Sequence, residues 1–125
     1  MVFRISRRID LVGIVSNMQD ISDKVALIEI EGDIDFSISQ KLKEELLTII
    51  NKGKSKLIMD LGKVRYIDSS GLEVITSTQS KTNSAGGDVY LVCSDPSIRK
   101  IFDITGLDEY IRFFGTRKDA LGAVK

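Results

Sequence analysis

The sequence predicts an α/β fold: one mixed, mostly parallel β-sheet with about four helices packed against it. Three observations carry this. Leu57-Ile58-Met59 and Val89-Tyr90-Leu91-Val92-Cys93 are apolar at consecutive positions, as in strands covered on both faces. Between such runs lie helical patterns, clearest at Ile38, Leu42, Leu46, Ile49 and Ile50. Glycines, or Asp95-Pro96, stand at the boundaries. Strands separated by helices pair in parallel through crossover connections.

The elements follow in order. Residues 2–6 alternate in polarity and residues 9–15 are more apolar, which fits one or two short strands with Gly13 marking a bulge. Ser16 to Lys24 is polar and turn-like, and Val25 to Ile30 is a strand. The opening unit is therefore an antiparallel pair joined by a longish loop. Glu31-Gly32-Asp33-Ile34-Asp35 ends the second strand, with Gly32 allowing a sharp turn. A helix runs from Phe36 or Ser37 to Lys52, with Ser37 and Gln40 fitting a capping box and Gly53 the stop.

Lys56 to Leu61 is a short buried strand, and Gly62 to Tyr66 turns into Ile67-Asp68-Ser69-Ser70-Gly71-Leu72. The next helix, from about Ser69 or Ser70 to Ser84, has poor intrinsic propensity. Val74, Ile75, Thr76, Ser77, Thr78, Ser80 and Thr82 are β-branched or hydroxylic, so tertiary packing must hold it. Gly86-Gly87 closes that segment, and Asp88 to Cys93 is another buried strand. Asp95 caps a short helix with Pro96 at its first position, Ile98, Ile101 and Phe102 on its apolar face and Gly106 at its end. Tyr110 to Phe114 is a strand, and Thr116 with Asp119 caps a last helix towards Val124.

A chain of 125 residues suits a single domain, 1–125, with residues 1–9 as an N-terminal extension or extra strand. No apolar run approaches the roughly 20 residues that span a bilayer. The N-terminal segment lacks the uninterrupted apolar core of a signal peptide, so a cytoplasmic protein is expected. Lys and Arg total 18, as do Asp and Glu, which gives no general attraction to nucleic acid or membrane. Arg4, Arg7 and Arg8 form the one basic cluster and read as an exposed strand face.

There is no histidine and a single cysteine, Cys93, within a buried run. That removes Ser-His-Asp and Cys-His triads and makes a zinc site a poor fit. No metal or cofactor is expected, and a non-enzyme is favoured.

Attention falls on Asp68-Ser69-Ser70-Gly71, at a strand-to-helix turn. Asp68 or Ser70 can cap the helix, and Ser70 with Glu73 matches a capping box. That would occupy the Ser70 hydroxyl and leave Ser69 just outside the first turn with its own hydroxyl free to accept a phosphate. A phosphate adds about −1.5 to −2 charge. Beside Asp68 and Glu73 it would create a dense acidic spot. Two unit charges about 4 Å apart near a protein surface interact by up to about 4 kcal/mol. At about 1.4 kcal/mol per tenfold, a docked partner could be lost with no change of fold. The turn is neither Gly-x-Ser-x-Gly nor a glycine-rich phosphate loop.

Asp68-Ser69-Ser70-Gly71-Leu72, after Tyr66-Ile67, resembles the signature of bacterial anti-sigma factor antagonists, the STAS domains. Glu31-Gly32-Asp33-Ile34-Asp35, Leu57-Ile58-Met59-Asp60-Leu61 and Ile101-Phe102-Asp103-Ile104-Thr105-Gly106-Leu107 resemble three further family segments in the same order. The resemblance covers most of the chain and implies a STAS-like fold. It implies that the unphosphorylated protein binds an anti-sigma factor that is also a serine kinase, with ATP bound by that partner, and so releases a sigma factor. Phosphorylation of Ser69 would break the complex, and a serine phosphatase would restore it. Asp68 would shape the loop, Asp35 would lie on the kinase-facing surface with Asp33 as a weaker candidate, and Ser70 would be structural. Gly71 and Glu73 complete the expected partner-facing set. Neither nucleic acid nor membrane is an expected partner, and the expected state is a monomer or weak dimer.

Two features depart from the family pattern. Glu73 stands where a small residue is usual, and the basic N-terminal arm is longer than usual. The alternative reading is a STAS-type scaffold or ligand-binding subunit of a stress-signalling or transport complex.

Overall fold

The computed structural model describes residues 6–11 and 14–124. Among them, six strands form one sheet in sequential order: β1 (Ser6–Leu11), β2 (Ile14–Asp20), β3 (Val25–Ile34), β4 (Lys56–Ile67), β5 (Asp88–Val92) and β6 (Arg112–Phe114). The β1–β2 and β2–β3 pairs are antiparallel, and the three later pairs are parallel. The parallel strands are joined by α1 (Phe36–Asn51), α2 (Ser69–Ser84) and α3 (Pro96–Thr105), while α4 (Arg117–Ala123) follows β6. The expected α/β class, mixed sheet and four helices are all present.

Strand alternation divides the buried side chains into two cores. On one face Ala26, Ile28 and Ile30 of β3, Leu57, Met59 and Leu61 of β4, and Val89 and Leu91 of β5 meet the stripe of α1. Val74 and Ile75 of α2 and Ile98 and Phe102 of α3 complete that core. On the other face Val25, Leu27, Ile58, Tyr90 and Val92 pack with Ala120 and Val124 around α4. The central strands are thus apolar at consecutive positions because each face has its own helical cover. Cys93 is fully buried, and burial pushes its thiol pKa up.

Several boundaries differ from those the sequence suggests. Residues 16–20 belong to β2, because a strand paired on both sides fills its backbone hydrogen bonds whatever its side chains. Glu31 to Ile34 extend β3, and Gly62 to Ile67 extend β4, although a turn was expected from Gly62 to Tyr66. The two strands keep pairing through register shifts between Glu29 and Glu31 and between Gly32 and Asp33. Bulges of this kind interrupt the side-chain alternation that marks a strand in sequence. The last strand is only Arg112–Phe114, preceded by a 3₁₀ turn at Leu107–Glu109. The alternation expected over residues 2–5 and the bulge at Gly13 lie outside the described residues.

In the second helix the hydroxyls that lower its propensity are satisfied internally, and a tertiary bridge ties it to β5 and to Tyr110. Thr76, Thr78, Thr82 and Ser84 each donate a hydroxyl to the carbonyl four residues back, and Thr78 and Thr82 are buried with those groups satisfied. Gln79, also buried, bridges two other elements: its Oε1 accepts from Val89 N–H at 3.0 Å and its Nε2 donates to the Tyr110 carbonyl at 3.1 Å. Beneath α4, Arg117 reaches both Asp60 and Glu29, and Lys63 also approaches Glu29 at 3.5 Å.

Candidate functional site

Parallel pairing decides where the site lies. Ile34 and Ile67 are register partners at the ends of β3 and β4, so the next residues, Asp35 and Asp68, begin α1 and α2 side by side. Each aspartate is an N-cap in extended conformation. Asp35 Oδ1 accepts from the Ser37 amide at 3.0 Å and from the Ser37 hydroxyl at 2.6 Å. Two helix N-termini, each with free amides and partial positive charge, therefore open at one end of the sheet.

Asp68 joins the two. Its Oδ1 accepts from the Ser70 hydroxyl at 2.5 Å and the Gly71 amide at 3.1 Å, both in α2. Its Oδ2 accepts from the Phe36 amide of α1 at 3.1 Å. The Asp68 pKa lies below its ordinary value. The Ser70 hydroxyl is the largest cause, opposed by partial desolvation and aided by the Gly71 and Phe36 amides.

These bonds correct both expected capping boxes. Asp35 caps α1 in place of Ser37 with Gln40, and Asp68 caps α2 in place of Ser70 with Glu73. In each case an aspartate two residues earlier takes a first-turn amide, that of Ser37 for Asp35 and of Gly71 for Asp68, and carries a full charge there. The Ser70 hydroxyl is occupied, but by Asp68. Ser69 is the first residue of α2, inside its first turn instead of just outside it, and is exposed.

Gly71 is buried and packs beneath the turn. A Cβ there would stand 2.7 Å from Ile67 Cγ1, 2.8 Å from Ile34 Cγ2 and 3.0 Å from the Ile34 carbonyl oxygen. Only a residue without a side chain lets α2 start this close to the strand ends. Asp33 is exposed on β3, in register with Tyr66. Glu73 is exposed and lines a cleft of about 410 Å³ between α1 and α2 with Phe36, Ser39, Gln40, Lys43, Ser70 and Val74.

The apolar members of this surface were not singled out from sequence. Phe36 is 82% exposed at the first position of α1, and Tyr66 is 51% exposed near the end of β4. A signal for Phe36 was present: it falls off the Ile38, Leu42, Leu46 and Ile49 stripe that faces the core. Among the described residues no group of His, Cys, Asp and Glu could hold a metal ion, and no helix is long and apolar enough to cross a membrane.

A STAS domain family model matches residues 17–120. The anti-sigma-F factor antagonist RsfB of Mycobacterium tuberculosis is 29% identical over 101 residues, covering 81% of this chain and 82% of that protein. The crystal structure of an anti-sigma factor antagonist from Mycobacterium paratuberculosis matches with a TM-score of 0.74 at 24% identity, over 98% of this chain and 94% of that one. The unphosphorylated form of the anti-sigma factor antagonist SpoIIAA matches with a TM-score of 0.77 at 19% identity, over 87% and 95% of the two chains. Its phosphorylated form, from Bacillus, matches at 0.70, over 88% and 99%. At these identities the solved structures show a common fold. With the family model running from within β2 into α4 and the Asp68 turn joining the two helix starts, the chain belongs to the STAS domain family.

Proposed function

We propose that this protein is an anti-sigma factor antagonist whose unphosphorylated form binds a serine-kinase anti-sigma factor and thereby frees a sigma factor. The whole chain acts as one binding domain in the cytoplasm, without chemistry of its own. The kinase transfers the γ-phosphoryl group of its ATP to Ser69 Oγ, releasing ADP and the hydroxyl proton, and a serine phosphatase hydrolyses the ester. Partner-facing residues are Asp35, Asp33, Asp68 and Glu73, with Ser70 holding the turn from within.

The observation that carries this reading is the division of labour between the two serines. The Ser70 hydroxyl is held by Asp68, whereas Ser69 is exposed at the start of α2, next in sequence to the Asp68 that holds the amide of exposed Phe36. Large exposed apolar side chains beside charged groups are common at protein-binding surfaces. The relatives' names agree with the reading, RsfB as an antagonist and SpoIIAA in both phosphorylation states.

The test is incubation with candidate kinase-type anti-sigma factors and ATP, followed by mass mapping, with binding measured in parallel. Phosphate is expected on Ser69. Ser69→Ala should bind and resist modification, and Ser69→Glu should lose at least tenfold in affinity. Equal binding by all three forms, or phosphate only elsewhere, refutes the reading.

A further inference from the structure

The Asp68 carboxylate is shared between two helices. Oδ1 serves the Ser70 hydroxyl and Gly71 amide of α2, and Oδ2 serves the Phe36 amide at the first residue of α1. A carboxylate is rigid and planar, so what displaces one oxygen moves the other. Ser69 is the adjoining residue and the first of α2, at a helix end whose amides and partial positive charge favour an anion. A phosphate on Ser69 would place about −1.5 to −2 charge next to Asp68 and offer strong acceptors to the same α2 donors.

We propose that Asp68 relays phosphorylation of Ser69 to α1: the phosphate displaces the carboxylate from the α2 donors, and the Phe36 amide loses its acceptor. This rests on the reading of Ser69 as the phosphate acceptor. One modification then alters both helices that border the cleft. At α2 it adds charge directly. At α1 it frees the amide of the first residue, Phe36, whose ring is the most exposed large apolar side chain among the described residues. Asp68 acts here as a positioning residue.

Ser37 supplies an internal control. Its amide is one residue further along α1, and its acceptor is Asp35, which takes no part in the relay.

The experiment compares amide hydrogen exchange by NMR in the full chain with serine or phosphoserine at position 69, the latter incorporated during translation. Exchange at Phe36 is expected to rise at least fivefold with phosphoserine, while exchange at Ser37 changes less than twofold. An unchanged or slower Phe36 amide overturns the proposal. Equal acceleration at both residues also overturns it, because that is fraying of α1 without a relay. In Asp68→Asn, which turns an amide group towards one of the two helices, phosphoserine should produce less than a twofold further change at Phe36. A fivefold further change would show another route and overturn the assignment to Asp68. The comparison in the unsubstituted chain decides the matter even if Asp68→Asn fails to fold. No kinase takes part, so failure to find a partner leaves this result standing, and failure of the relay leaves the partner reading intact.

Discussion

Replacing Gly71 with alanine tests how the turn is built. The added Cβ would sit 2.7 Å from Ile67 Cγ1, 2.8 Å from Ile34 Cγ2 and 3.0 Å from the Ile34 carbonyl oxygen. Carbon atoms pack best at about 3.5–4.0 Å, so α2 must retreat from the strand ends by a large part of an ångström. Forcing a methyl group into a packed interior costs about 1–3 kcal/mol. Alanine's better helix propensity returns at most about 1 kcal/mol, and Gly71 is not among the positive-φ glycines, so no backbone strain is added. The net expectation is a loss of about 1–2 kcal/mol. With an unfolding entropy of about 2.1 cal/mol/K per residue, that lowers Tm by about 4–8 °C. Urea titration and calorimetry measure both quantities. Gly122→Ala is the control: Gly122 lies in α4, is exposed, and its added Cβ meets nothing within 4 Å. If Gly71→Ala proves as stable as Gly122→Ala, the close approach of α2 to Ile34 and Ile67 is not what selects glycine.

Three further predictions use the same contacts. The Asp68 pKa is lowered in the folded state, so its carboxylate favours folding above the unfolded value of about 4 and that share is lost as pH falls through the folded pKa. The stability difference between the parent protein and Asp68→Asn should hold steady above about pH 5 and shrink towards pH 2; a difference flat from pH 2 to 6 refutes the assigned bonds. Gln79→Leu should cost about 1–3 kcal/mol by stranding the Tyr110 carbonyl and removing one acceptor from the Val89 amide, read by urea titration with faster exchange at Val89; unchanged stability counts against the bridge. Phe36→Ala should change stability by less than about 0.5 kcal/mol, because the ring is exposed, yet weaken binding of the cognate anti-sigma factor about tenfold or more; full retention of affinity in a calorimetric titration removes Phe36 from the interface.

Much of the fold was legible because it depends on local pattern. The α1 stripe at Ile38, Leu42, Leu46 and Ile49 is buried as its spacing requires, and Asp95, Pro96 and Gly106 bound α3 as cap, first residue and left-handed stop. Patterns failed where long-range pairing governed. Gly62 to Tyr66 looked like a turn, but β3 holds it in the sheet through register shifts that no short window displays. The polar residues 16–20 looked like a loop, but two neighbouring strands claim their backbone.

The site divides in the same way. Sequence by itself determined that Asp68-Ser69-Ser70-Gly71 begins a helix after a buried strand, that no histidine chemistry accompanies it, and that another helix begins at Phe36 or Ser37. Those are matters of residue type and short spacing. Only the tertiary structure decided that the two helix starts are neighbours, since 32 residues separate Phe36 from Asp68 and only parallel pairing of β3 with β4 brings them to 3.1 Å. Only packing showed that Gly71 lies buried against Ile34 and Ile67. What occupies the Ser70 hydroxyl also followed from the structure: the Asp68 carboxylate takes it in place of the expected capping box, while Ser69 is exposed.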